Sequence, residues 1–213
     1  MNVKILISIL IAIVAVIAIS AASFSVESKS KPLSEPTYEN DFTYADVDKI
    51  TEILATQNIS MSTPTEITDY TIKQYCTYFD EGDVQIIMKY CITTALLDSD
   101  GKPLGNINMG GSSDYSTMAL AIIEASPFLD SKDNEVNFVF QTMIETMVCN
   151  CWEEQQPGGF ESVPQWLKTA EEHYLESPYT TLKSKIEGLD QKQLILEITP
   201  KDGKFLWTLI IIK

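Results

Sequence analysis

Ile5–Ala22 is a run of Ile, Leu, Val and Ala broken only by Ser8 and Ser20, with Lys4 just ahead of it. An uncharged run of about 18 residues is the lower limit for a membrane-spanning helix. A helix that is apolar on every side has no solvent face, so the rest of the chain must build its core without this segment. The run also carries the marks of a secretory signal: a basic start (Met1, Lys4), an apolar centre, and small residues at Ser20-Ala21-Ala22-Ser23 that suit cleavage. Residues 1–23 therefore read as a signal anchor or a signal peptide. The positive end stays in the cytoplasm. Residues 24–213 are expected outside, either as the external part of a single-pass protein of the cell membrane or secreted after cleavage.

Residues 24–42 are polar and carry Pro32 and Pro36 without apolar periodicity, which reads as a flexible linker. Residues 43–213 then form a single domain, long enough for a real core. All 15 basic residues are lysine, against 30 acidic ones, giving a net charge of −15. Nucleic-acid binding is expected to be absent, because its affinity comes from neutralised phosphates. Without arginine there is no rigid bidentate fork for phosphate or carboxylate. An acidic external domain attracts a protein or other partner of cationic character.

Thr43–Asn58 reads as a helix: Thr43 caps it with Asp46 three residues on, and Val47, Ile50 and Leu54 share one face. Asp69–Phe79 and Val84–Leu97 flank Asp80-Glu81-Gly82-Asp83 as a β-hairpin. Asp98–Pro103 is a turn, since its Gly101 stands too early for a calcium loop, and Leu104–Met109 follows as a strand. Ser112 or Ser113 would cap a helix over Tyr115–Ala125. Asn134–Trp152 reads as the central helix. At about 100° per residue, Phe140, Met143, Ile144, Met147 and Cys151 fall close to Val136, and further apolar positions predict cover on more than one side. Ser162 with Gln165 and Pro164 starts the last helix, with Trp166, Leu167, Ala170 and Tyr174 inward and Pro178 at its end. Thr180–Glu187 is a strand, and Gln193–Thr199 with Phe205–Ile212 form a second hairpin around Asp202-Gly203.

The order is thus α-βββ-ααα-βββ. It implies an α+β fold: a mainly antiparallel sheet of about five to six strands with three to four helices largely on one face. Leu206–Ile212 is almost continuously apolar, as in a strand covered on both faces.

Four cysteines in an external domain, Cys76, Cys91, Cys149 and Cys151, are disulfide candidates. If Phe79 faces Val84, Cys76 and Cys91 are four positions out of register. A Cys149–Cys151 bond is strained by its spacing, and on a regular helix the two point apart. Bonds from the hairpin to the Cys149/Cys151 pair remain. The sharper alternative, a zinc or copper set of Cys149, Cys151, His173 and a hairpin cysteine, lacks the usual C-x-x-C spacing. Asn58-Ile59-Ser60 makes Asn58 a glycosylation candidate. Gly110, Gly111, Ser112, Ser113 and Asp114, between a strand and a helix start, are a weak anion- or ligand-site candidate. His173, the single histidine, lies at the edge of an apolar helix face and reads as partly buried. No catalytic triad, phosphate loop, cofactor motif or strong metal spacing is present. The expectation is a non-catalytic binding or interaction domain at the cell envelope. The alternatives are an external hydrolase using acidic residues and a structural envelope protein without a ligand.

Overall fold

The C-terminal run becomes β10 (Lys204–Ile212), a strand held between two others. The computed structural model describes residues 42–67, 71–72, 76–79, 85–125, 133–176 and 180–213. Ile5–Ala22 lies outside them. No helix among the described residues is long and apolar enough to cross a membrane.

The chain order is α1 (Asp46–Ala55), β1 (Ser60–Met61), β2 (Thr65–Glu66), β3 (Thr77–Phe79), β4 (Gln85–Ile87), β5 (Tyr90–Leu97), β6 (Pro103–Gly111) and β7 (Ser116–Ala125). Then come α2 (Asp133–Met147), α3 (Trp152–Gln155), a 3-10 turn at Pro157–Gly159, α4 (Val163–Glu176), β8 (Leu182–Leu189), β9 (Lys192–Lys201) and β10. The fold is α+β. An 8-stranded sheet runs β1-β5-β6-β7-β10-β9-β8 with β2 also pairing β5, and β3-β4 form a separate 2-stranded hairpin. All described pairings are antiparallel. Two meanders, β5-β6-β7 and β8-β9-β10, thus meet at the β7–β10 ladder, where Leu209 faces Ala121. The helical segment from α2 to α4 carries the chain from the middle of the sheet to its far edge.

α1, α2 and α4 share one face of the sheet, whereas Thr71-Ile72, expected in a strand, is helical and places Ile72 in the core of the other face. Phe205, Trp207, Leu209 and Ile211 of β10 join Ala119, Ala121 and Ile123 of β7 and the inward residues of α1, α2 and α4 in the main core. Alternate residues, Met118, Leu120, Ile195 and Ile210, form a second core on the other face with Ile67, Ile72, Cys76 and Cys91. β10 is therefore covered on both faces, as its almost continuously apolar run demands.

The signal at Ser162 holds, whereas Thr43 does not cap α1: the N-cap is Ala45, with no side-chain cap bond. Thr43 N–H and Oγ1–H donate to Asp46 Oδ2 at 2.6 and 3.3 Å, and Val47, Ile50 and Leu54 are buried. Gln165 N–H donates to Ser162 Oγ, while the Gln165 amide reaches back to Glu161 N–H at 2.6 Å. Asp202-Gly203 turns with both φ positive (50° and 78°), as does Asp190-Gln191 (49° and 62°). That is the geometry a two-residue hairpin needs. Asp98 Oδ1 accepts from Asp100 N–H and Lys102 N–H at 3.0 and 2.8 Å, confirming the turn.

Several expectations are corrected. Tyr115–Ala125 contains a strand, not a helix. Its Met-Ala-Leu-Ala run favours helix locally, but a strand buried on both faces shows no period-2 alternation, and sheet pairing on both edges decides the outcome. The sheet accordingly has more strands than the expected five to six, with β1 and β2 also added at its edge. Val84–Leu97 is broken at Met88-Lys89 into β4 and β5. The central helix ends at Met147, where Val148 and Cys149 N–H both donate to Ile144 O. α2 is covered on more than one side, since Val139 and Thr142 are buried alongside Phe140 and Met143. Phe42, assigned to the linker, is buried, and Lys213 Nζ lies 4.5 Å above its ring. Pro178 and Asp80–Asp83 fall outside the described residues.

Gly105 in β6 lies so close to β7 that a Cβ there would sit 2.0 Å from Ile122 O, a backbone atom with no room to retreat. Gly105→Ala is expected to cost about 1–3 kcal/mol, the scale of overpacking, read as a lower urea midpoint at unchanged slope.

Candidate functional site

The sheet divides the four cysteines. Cys76 and Cys91 are fully buried in the core of the face away from α1, α2 and α4. Cys149 and Cys151 are half-buried and pack on the helical side. The disulfides are Cys76–Cys91 and Cys149–Cys151, with Cα–Cα distances of 6.1 and 5.2 Å. Both pairings overturn the expected hairpin-to-helix bonds. The hairpin register is Thr77↔Ile87, and Met88 N–H donates to Cys76 O. The break at Met88-Lys89 then turns the chain, so Cys91 returns beside Cys76 instead of running past it. Cys149 and Cys151 meet because α2 stops at Met147, so neither is held at a helical spacing. Disulfides persist in oxidising surroundings. Among the described residues no group of His, Cys, Asp and Glu is placed to hold a metal ion.

The Gly110–Asp114 segment is the end of β6 and the loop before β7. Its premise as an anion site, a helix N-terminus, is gone. Gly110 is the register partner of Cys91, and a Cβ there would meet Met88 Cγ at 2.4 Å. The glycine thus gives the disulfide-linked excursion room to lie on the sheet. In the loop, Ser112 Oγ accepts from Asp114 and Tyr115 N–H at 3.3 Å. Tyr44 O–H donates to Ser112 O at 2.7 Å, tying the start of α1 to this loop. Asn58 is exposed with φ 58°, at the turn after α1, while Ile59 is buried. His173 is exposed and its Nδ1 is 3.6 Å from Glu176, which corrects the partly buried reading.

Cavities run along the helical layer. Three adjoining cavities share Pro164 at the start of α4. The first, about 350 Å³, lies between α2, α4 and β10 and is lined by Val136, Leu167, Trp207, Asn137, Lys168 and Glu171. The second, about 540 Å³, adds Gln57, Glu135 and Gln141. The third, about 220 Å³, is bordered by Glu145, Glu153, Glu154 and Trp152. Trp152 and Trp166 satisfy their indole N–H groups on Phe160 O and Ser184 Oγ, at 3.0 and 2.8 Å. Trp207 is 2 % exposed, and its Nε1–H has no hydrogen-bond partner among the described residues. A buried donor left unpaired costs about 1–3 kcal/mol. Glu171, 6 % exposed, lines the same cavity. It stands four residues after Leu167, where the helix period calls for an apolar side chain, so the sequence does mark it. Nothing local marks Trp207, which reads as one more apolar residue of β10.

Comparison with protein-family models, with curated proteins and with solved structures finds no match.

Burial, and secondly the neighbouring Tyr90, push the Tyr44 phenol up from 10.0 to about 12. The folded form then holds its proton more tightly than the unfolded chain does. The stability this gives is complete below about pH 10 and disappears as pH rises through about 12. Unfolding measured across that window should show a steeper loss for the native chain than for Tyr44→Phe, and a phenolate absorbance step near pH 12 should be absent from the variant.

Proposed function

We propose that this chain is a non-catalytic binding domain displayed outside the cell membrane, tethered through Ile5–Ala22 or released by cleavage after it. It receives a cationic partner along the groove between α2 and α4. The observation that carries this reading is the groove's lining. Glu135, Glu145, Glu153, Glu154 and Glu171 border its three cavities, against Lys168 as the basic lining residue. Lys168 itself lies 3.9 Å from Glu172. A cleft lined by one sign of charge concentrates field and steers the opposite sign toward it. Asn137, Gln141 and Gln57 supply amide donors and acceptors that fix orientation. The disulfides agree with an oxidising location, and the net charge of −15 agrees with a cationic partner.

The alternative of a hydrolase using acidic residues draws on Glu145, Glu153 and Glu154 at one cavity. All three are exposed, whereas a general acid is prepared by withdrawing its carboxyl from water, and the buried carboxyl of the groove, Glu171, lines the separate cavity at Trp207 with none of the three beside it. Binding is therefore the preferred reading.

Isothermal titration of the external domain with an oligolysine peptide should give saturable binding that weakens with salt. The triple change Glu145→Gln, Glu153→Gln and Glu154→Gln removes only exposed carboxylates and should weaken it roughly tenfold or more. Equal affinity for the native and triple-variant domains would exclude this groove. No binding of either peptide charge, with oligoglutamate as the control, would favour the structural role.

A further inference from the structure

We propose that Cys149–Cys151 is an exchange-active disulfide that oxidises an external dithiol, whereas Cys76–Cys91 is a permanent staple. The two bonds differ in each property that governs exchange. Cys76 and Cys91 are 0 % exposed and close a loop of sequence separation 15. Such a loop contributes about 3 kcal/mol of stability. Cys149 and Cys151 are both partly exposed and are separated by 2, so their bond removes much less chain entropy and little stability is lost when it opens. Tightly closed, accessible disulfides are the labile and catalytic ones.

The surroundings distinguish the two sulfurs. Cys149 lines a surface cavity of about 420 Å³ with Phe42, Asp46, Lys49, Val148 and Asp190, which gives a thiol somewhere to dock. Cys151 Sγ instead accepts a hydrogen bond from Gln155 Nε2 at 3.1 Å. A donor on a sulfur stabilises the thiolate that leaves from it. An incoming thiolate therefore attacks Cys149 Sγ. A bond forms between the external sulfur and Cys149, the Cys149–Cys151 bond breaks, and its electron pair departs on Cys151, held by Gln155 until it is protonated. The second thiolate of the external dithiol then attacks its own sulfur in the mixed disulfide and releases Cys149. The dithiol loses two electrons and two protons and becomes a disulfide, and Cys149 and Cys151 gain both as thiols. Lys49 lies 3.8 Å from Asp46 and Lys192 Nζ 3.0 Å from Asp190, so the cavity sets no sign of charge, and the substrate class is a dithiol small enough to enter it.

The test treats the native, folded domain with dithiothreitol, a neutral dithiol, without denaturant. Free thiols are alkylated at intervals and located by peptide mass mapping. Cys149 and Cys151 should be alkylated about tenfold or more faster than Cys76 and Cys91. Gln155→Ala should slow opening several-fold while its thermal midpoint stays unchanged. Simultaneous alkylation of all four cysteines, or none before unfolding, would overturn the proposal. An unchanged rate in Gln155→Ala would overturn the assignment of Cys151 as the leaving sulfur.

Discussion

The β7–β10 ladder is the contact on which the rest of the molecule depends. It joins two three-stranded meanders into one sheet and places both strands in the interior, paired on each edge. Both faces of such a strand must then be covered, and the sequence supplies apolar residues on both. One face takes α1, α2 and α4. The other takes the segment around Cys76, clamped to β5 through Cys91. Trp207 comes to the floor of the helical cleft because it occupies the helix-facing set of β10 together with Phe205, Leu209 and Ile211.

From that division follows the contrast between the two halves of the covalent framework. The staple on the far face lies in a dry core, where it is inaccessible and stabilising. The second bond lies just past the end of α2, where the chain has left the helix and both cysteines are partly exposed. One layer thus carries the fold's permanent constraint, and the other carries the shaped, acidic and chemically open surface. Tyr44 links them, since its phenol bonds Ser112 O at the β6–β7 loop from the first turn of the helical layer.

What the sequence showed depended on whether the signal was local. The cap at Ser162, the Asp202-Gly203 turn and the Asp98 turn are short-range chemistry, and each stands where its residues put it, whereas α1 begins only at Asp46, with Ala45 and not Thr43 as its N-cap. β7 was hidden because Met118–Ile123 is apolar without alternation and its alanines favour helix, so only pairing with β6 and β10 decides it. The break at Met88-Lys89 carries no Gly or Pro to announce it. With that break unseen, Cys76 and Cys91 looked too far apart, and with α2 extended through Trp152, Cys149 and Cys151 looked opposed. Both errors concern where an element stops, the least legible feature of a chain. Glu171 was legible as an acid on an apolar helix face. The unpaired indole of Trp207 was not, because it depends on which neighbours the sheet and helices bring to it.

A sheet that separates the four cysteines permits only one connectivity. Peptide mapping of the oxidised, non-reduced protein tests this directly. It should recover the peptides of Cys76 and Cys91 linked to each other, and Cys149 and Cys151 joined within one peptide. A link from either hairpin cysteine to Cys149 or Cys151 would contradict the two-faced architecture, because that bond would have to pass through the sheet.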